Sequence, residues 1–398
     1  MKAIFFESNA TLMAKNLLPI ANVLNSKEKN FTATFISAEI ASNVDAEMER
    51  KAISAMTSRK NFKFVILKSF NHQKIKNFLE QEKPDIFFID CYRIIDQLWV
   101  GAANSLGIQT CLLQHGFEPD SAYYKLFSIV TKFGKGLRLA NASYHLSRLL
   151  NVSFVTLFYQ YFKYIYTGTP LKNTFLGAEA LHPAKVFLYS EYYKEFWNNK
   201  YGFSAEKAEV ISYPDFMLIE RVKKMKRETA LCYITQTLVE DGRMKKKEFL
   251  KLMEAYKKIA EKVDKFVIKL HPRGNPALYK MFDGMPNVLI TREFPNCSAY
   301  LTHYSSMAFV AAFLSDAVIF HELEGHPTPG IYEAIPIATV KNAMDILDVY
   351  NGSKTKAEPD IDVQRKKLDY YASFDGIDIY ETIYKSLKRQ RGASPIQP

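Results

Sequence analysis

Four cysteines (Cys91, Cys111, Cys232 and Cys297) are scattered through 398 residues with no CxxC pair. That excludes a disulfide framework and paired-thiolate metal sites, and leaves reduced thiols, three of them in or beside apolar runs. No stretch approaches the roughly 20 uninterrupted apolar residues that a spanning helix requires. The opening MKAIFFES has only Ala-Ile-Phe-Phe between Lys2 and Glu7, so it reads as a first strand, not a signal peptide. Repeats of solenoid period and low-complexity tracts are also absent. The one Asp-x-Asp, Asp360-Ile361-Asp362, lies in a polar, proline-led stretch away from any strand. It reads as a solvated helix start, so no metal and no cofactor is expected.

What is present is basic and aromatic. Lysine and arginine outnumber acids by 53 to 42, a net charge of +11, which favours phosphates, nucleic acid or an anionic bilayer without choosing among them. Hydrophobic residues make up 48%, with 29 Phe and 24 Tyr, a globular balance that excludes general disorder. The length suits two domains of about 150 to 200 residues.

Up to about residue 115, short apolar runs (KAIFF, TATFIS, FKFVILK, DIFFIDC, TCLLQ) alternate with helical patterns such as NLLPIANVLNSKEK. Such alternation predicts βαβ units and a parallel sheet. A second series, AEVISYP, ALCYITQT, KFVIKLHP, NVLITRE, SAYLTHYSS, DAVIFHE and IPIATV, follows KVFLYSEYYKEFWNN, with a helix at 244–263. The expected architecture is α/β: two doubly wound Rossmann-like domains facing a central cleft. The expected boundaries are 1–182, 183–372, and a C-terminal helix and basic tail at 373–398. Residues 121–172 hold seven Lys or Arg, twelve Phe or Tyr and no acid; a helix pair of this composition suits either a bilayer surface or ordinary core packing.

Ligands of open parallel sheets bind at the carboxyl ends of strands, which directs attention to three endings. LLQHGFEP delivers His115 before Gly116, a sharp turn that exposes an imidazole able to act as a base near neutral pH. FVIKLHPRGNP delivers His271, Pro272, Arg273 and, inside the run, Lys269. LTHYSSMAFVAAFL sets Ser305 and Ser306 at a helix start, where hydroxyls and N–H groups either cap the helix or hold a phosphate. His271 and Ser305-Ser306 end strands of one sheet and are expected to share an anion. The other pairs, His182-Pro183 and His326-Pro327, read as turns. Gln236, Glu240, Asp241 and Gly242 are candidates for the nucleotide pocket, and Arg243 for a further cation. Glu7, Ser8 and Asp90, at other first-domain strand ends, are fallback bases.

A His-Pro strand end followed some 30 residues later by a Ser-Ser helix start resembles the donor-binding domain of bacterial sialyltransferases and polysialyltransferases, and of teichoic-acid glycerophosphate polymerases. The likeness is one of motifs, through roughly residues 185 to 340. It implies a GT-B fold, cytoplasmic peripheral attachment to the inner membrane, and His271 with Ser305-Ser306 holding the phosphate of a cytidine nucleotide donor. The sialyltransferases carry an acidic pair before glycine as base; here Gln114-His115-Gly116 stands at that strand end, closer to the His-Gly of the glycerophosphate polymerases.

The implied function is inverting, metal-independent transfer of a sugar, with CMP-sialic acid or a related CMP-sugar as donor, onto a lipid-linked or oligosaccharide surface glycan. His115 would be the base. The alternatives are glycerophosphate transfer from CDP-glycerol and a non-catalytic basic protein binding glycan or nucleic acid. Nothing in the chain resembles a nucleic-acid recognition module, and a homodimer stays open.

Overall fold

A computed structural model describes residues 1–37, 46–67, 71–116, 129–240, 242–323, 331–332, 335, 337–373 and 378–392. It divides into two compact units. The first holds a seven-stranded sheet in the order β3-β2-β1-β4-β5-β6-β7. Its strands are β1 (Lys2–Phe6), β2 (Thr32–Ser37), β3 (Phe62–Ile66), β4 (Ile86–Ile89), β5 (Gln109–Leu113), β6 (Lys185–Leu188) and β7 (Ala208–Val210). All pairings are parallel. The central strands are buried almost end to end, as strands covered on both faces must be.

The second unit holds six parallel strands in the order β10-β9-β8-β11-β12-β13. These are β8 (Glu228–Ile234), β9 (Phe266–Lys269), β10 (Val288–Thr291), β11 (Cys297–Thr302), β12 (Val318–His321) and β13 (Ile337–Val340). One face packs on helix Lys246–Ala260 through Phe249, Met253, Tyr256 and Ile259. Helix Met307–Leu314 is buried from Ala308 onward. Counted from its own first strand, each sheet runs 3-2-1-4-5-6, the doubly wound Rossmann order, and each reverses direction beside its first strand.

Two boundaries differ from the reading of the sequence. KVFLY and AEV are β6 and β7 of the first sheet, so the first unit extends to Ser212 instead of residue 182. The chain continues the apolar alternation without a break there, which is why periodicity alone misplaces the border. The C-terminal helix Ile379–Gly392 returns to the first unit, pairing Lys388 with Glu28 at 3.3 Å and hydrogen-bonding Ser386 to Glu209 at 2.5 Å. The helix expected at 244–263 spans Lys246–Ala260. The basic aromatic segment supplies helices Ile129–Leu150 and Phe154–Thr167; its residues 121–128 lie outside the described residues.

Candidate functional site

In the first unit, the register pairs Phe6 with Ile89, so the next residues, Glu7 and Asp90, leave adjacent strands side by side at the point where the sheet order reverses. Both are fully buried, at 0% exposure. Two carboxylates this close in the interior cannot both ionise without compensation. Burial would raise the Glu7 carboxyl, but the Arg93 guanidinium, with hydrogen bonds from Asp90 and Ser8, overrides it and holds Glu7 at about 2. Burial and the Glu7 charge push Asp90 well above the carboxylate range. Arg93 reaches Glu7 at 2.9 Å and Asp96 at 2.8 Å, and donates to Ser8 Oγ at 2.9 Å.

His115 lies two residues beyond β5, and Gly116 turns the chain with φ of +60°. The imidazole Nδ1 is 2.6 Å from Asn16 Nδ2, which also donates to Asp90 at 2.8 Å. About a third of the side chain is exposed. Burial, only partly opposed by Glu7, lowers its pKa below the usual histidine value, so it is neutral near pH 7. The neighbouring Gln114 turns the other way, accepting the Tyr189 N–H at 2.8 Å, and serves the sheet.

Glu7, Asp90 and Cys91 are the one group of three metal-capable side chains found close together among the described residues, with ligand atoms within 4.8 Å of one another. Both Glu7 oxygens are already engaged, Oε2 by Arg93 and Oε1 by Ser8 and the Asn9 N–H. An ion would have to displace the guanidinium, so the donor set fits an internal ion-pair cluster better than a metal site.

In the second unit, His271-Pro272-Arg273-Gly274 is a reverse turn closed by Gly274 N–H to His271 O at 2.8 Å, with proline and glycine at the positions such turns favour. Arg292 donates to the Pro272 carbonyl at 2.8 Å, and Glu240 accepts the Asn275 N–H at 2.7 Å. The Arg273 backbone N–H donates to His271 Nδ1 at 3.1 Å. A backbone N–H can only donate, so the neutral ring carries its proton on Nε2.

The strand between His271 and Ser305-Ser306 is β8, whereas NVLITRE forms β10 on the far edge. His271 and the serines therefore flank the end of β8, roughly 10 Å apart across two strand spacings. Thr235, Gln236 and Thr237 stand between them. Thr235 Oγ1 accepts the His271 N–H at 2.7 Å, and Gln236 Oε1 accepts the Tyr304 N–H at 3.2 Å. Arg273 contacts Thr237 at 3.4 Å. Ser305 Oγ accepts the Met307 N–H at 3.3 Å, while Ser306 makes no side-chain cap to the helix it begins. Arg243 lies over the Tyr304 ring at 5.5 Å.

The remaining candidates divide. Lys269 is buried inside β9, on the face opposite Ile268 and Leu270. Glu240 braces the His271 turn, and Gly242 is exposed with φ of +66°. Asp241 and His326-Pro327 lie outside the described residues. His182 is buried beside the Tyr201 carbonyl at 3.1 Å, a packing residue. Asp360 caps helix Ile361–Leu368, accepting from the Asp362 and Val363 N–H groups, as its polar context implied. Asn16, Arg93, Thr235 and Thr237 escape a motif search; the one available signal was Thr-Gln-Thr directly ending an apolar strand.

No family model matches the chain and no curated protein matches it. Solved structures do. UDP-GlcNAc 2-epimerase from Methanocaldococcus jannaschii aligns over 98% of this chain and 100% of that one, with 12% identity and a TM-score of 0.53. The S. aureus MnaA–UDP complex covers 100% and 99%, with 11% identity and a TM-score of 0.54. The Neisseria meningitidis UDP-GlcNAc 2-epimerase bound to UDP-GlcNAc covers 98% and 100%, with 12% identity and a TM-score of 0.51. At such identities the likeness is one of fold, and that fold is GT-B, with two Rossmann-like units.

Proposed function

We propose that the protein is a glycosyltransferase that uses a nucleotide-activated sugar, with a CMP-sugar such as CMP-sialic acid as the favoured donor and a surface glycan as acceptor. The observation that carries the reading is His271. Its Nδ1 accepts the Arg273 N–H, which puts the proton of the neutral ring on Nε2, and it ends a strand beside Thr235 and across β8 from Ser305 and Ser306 at the carboxyl end of a Rossmann sheet. In the inverting reaction the acceptor hydroxyl attacks the anomeric carbon as the sugar–phosphate bond breaks. The nucleotide leaves with the bonding electrons, which His271, the serines and the N-terminus of helix Met307–Leu314 stabilise. His115 handles the acceptor's proton. Lys269, Arg273 and Arg243 supply positive charge around the phosphate, and no step requires a metal.

Incubating the purified protein with CMP-sialic acid, CMP-Kdo, CDP-glycerol and UDP-sugars, and identifying the nucleotide released, tests the donor. CMP release supports the reading, CDP-glycerol turnover moves it to glycerophosphate transfer, and release of UDP alone rejects both cytidine readings. One observation favours a second reading, epimerisation of a nucleotide sugar: the Glu7, Asp90 and His115 cluster offers acid–base groups that need no acceptor, and the similar structures include epimerases bound to UDP-GlcNAc and UDP. Conversion of UDP-GlcNAc to its epimer without acceptor would establish it.

The acceptor is expected at an anionic bilayer. No described helix is long and apolar enough to cross a membrane. On helix Phe154–Thr167, however, Val155, Tyr159 and Phe162 form one stripe exposed at 72%, 63% and 49%, next to exposed Lys163. That stripe supports peripheral binding. Replacing the three residues by serine should abolish sedimentation with phosphatidylglycerol vesicles while sparing turnover on a soluble acceptor; unchanged sedimentation rejects this surface.

A further inference from the structure

Asp90 Oδ1 is buried and finds no donor. A buried oxygen so placed is costly unless it carries a proton itself, and the neighbour that can accept that proton is the Glu7 carboxylate, whose charge Arg93 stabilises. With the proton on Oδ1, Asp90 Oδ2 is left as an acceptor. It takes one hydrogen of Asn16 Nδ2 at 2.8 Å. The second hydrogen of the same amide then points to His115 Nδ1 at 2.6 Å. With the amide in this orientation, every group in the line from Arg93 through Glu7, Asp90 and Asn16 to His115 has a partner.

We propose that Asn16 is a positioning residue that fixes the tautomer of His115. Its amide nitrogen, anchored on Asp90, holds the neutral imidazole with its proton on Nε2, so His115 first meets a ligand as a hydrogen-bond donor. With about a third of the side chain exposed, the Nε2–H suits an oxygen of the acceptor or of an anionic group. For the ring to accept a proton on Nε2, solvent must first take the Nε2 proton and supply one to Nδ1, the Asn16 amide must turn to accept that Nδ1–H on Oδ1, and the Asp90 proton must move to Oδ2 to meet the same oxygen. The acid–base direction of His115 is thus set from the side away from the ligand. This bears on the transferase reading only through the role of His115; the tautomer itself needs no donor or acceptor.

Among the described residues, the groups that act on the ring are Glu7 after β1, Lys15 and Asn16 of helix Ala10–Asn16, Asp90 after β4, and Arg93 before helix Ile94–Asn104. Lys15 and Arg93 oppose a positive imidazole and Glu7 favours one. Burial outweighs Glu7 and leaves the ring neutral at pH 7, where its tautomer can be read.

The full-length protein labelled with ¹⁵N-histidine answers the question by long-range ¹H–¹⁵N correlation, with His115 assigned from the signals missing in His115→Gln. At pH 7.5 or so, far enough above an ordinary histidine pKa, the wild type should show Nδ1 bare and Nε2 protonated. Asn16→Leu, which removes the donor, should shift His115 toward a mixture of tautomers. Asn16→Asp should give the Nδ1–H form and raise its pKa through the added carboxylate. A wild-type His115 protonated on Nδ1 overturns the proposal, as does an Asn16→Leu spectrum identical to wild type. Should both variants fail to fold, the wild-type spectrum alone still decides. Absence of transferase activity would reject the function and leave this result standing.

Discussion

The two units share one strand order and differ in what they place where it reverses. The first unit buries ionisable groups there: Glu7 and Asp90 at 0% exposure, with Arg93 and Asp96 around them. The second places uncharged hydrogen-bonding groups there, Thr235, Gln236, Thr237, Ser305 and Ser306, with histidine and arginine at the margin. Buried charge is expensive and shifts proton affinities; neutral donors near a helix N-terminus cost little and suit an anion. On the proposed reading, the first crevice moves protons and the second holds phosphate. The two histidines follow the same division: a backbone N–H orients His271 and a side-chain amide, which can turn, orients His115.

The largest expected effect separates the two histidines. His271→Ala should weaken nucleotide binding measured by calorimetry and reduce turnover with it, by about 10² to 10³ in kcat/KM, the usual cost of one charge-stabilising donor. His115→Ala should reduce kcat by about 10² or more and leave nucleotide affinity within about twofold. Equal losses of affinity in both variants would break the division of labour.

A second test uses the two carboxyls of the first unit, equally buried, one ionised and the other neutral. Glu7→Gln leaves Arg93 with Asp96 as its remaining buried partner and should cost about 2 kcal/mol, less than the 3–5 of a wholly buried pair because Arg93 keeps that partner and reaches water on one side. Asp90→Asn keeps a neutral group that can donate to Glu7 and should cost well under about 1 kcal/mol. The pH dependence has opposite signs. Glu7, lowered to about 2, contributes stability that is present above its unfolded pKa and lost as pH falls toward 2. Asp90, raised, contributes stability that is present below its unfolded pKa and lost as pH rises through its folded value. Thermal melts of Asp90→Asn should therefore fall less steeply than wild type between pH 5 and 8 or so; an equal slope would mean that Asp90 is ionised in the folded protein.

Much of this was legible in the sequence. Alternating apolar runs mark twelve of the thirteen strands among the described residues, and strand endings point to His115, His271 and the serines, because hydrophobic period and turn chemistry are local. Strand order is not. Nothing local in NVLITRE distinguishes an edge from a central strand, and only the fold inserts β8 between His271 and Ser305. Asn16 and Arg93 sit in ordinary helical context and acquire a role only through residues 74 to 99 positions away. The unit boundary was missed because β6 and β7 carry the same pattern as the strands on either side of it.

The smallest effect probes that inserted strand. If β8 merely separates the two ligand-binding ends, Thr235→Val should change nothing beyond local packing. If Thr235 sets the His271 turn through its bond to the His271 N–H, the variant loses one neutral hydrogen bond to a half-buried backbone group, about 1 kcal/mol. Nucleotide affinity should then fall by about fivefold, with kcat on bound donor changing little, because the phosphate contacts are displaced as a set and not removed. Thr235→Ser keeps the hydroxyl and should restore the affinity. Calorimetric titration of the two variants with the nucleotide product reads the difference directly. Equal affinities would confine the phosphate site to His271 and the serines, and a loss that Thr235→Ser fails to restore would assign the effect to packing of the threonine methyl, not to its hydroxyl.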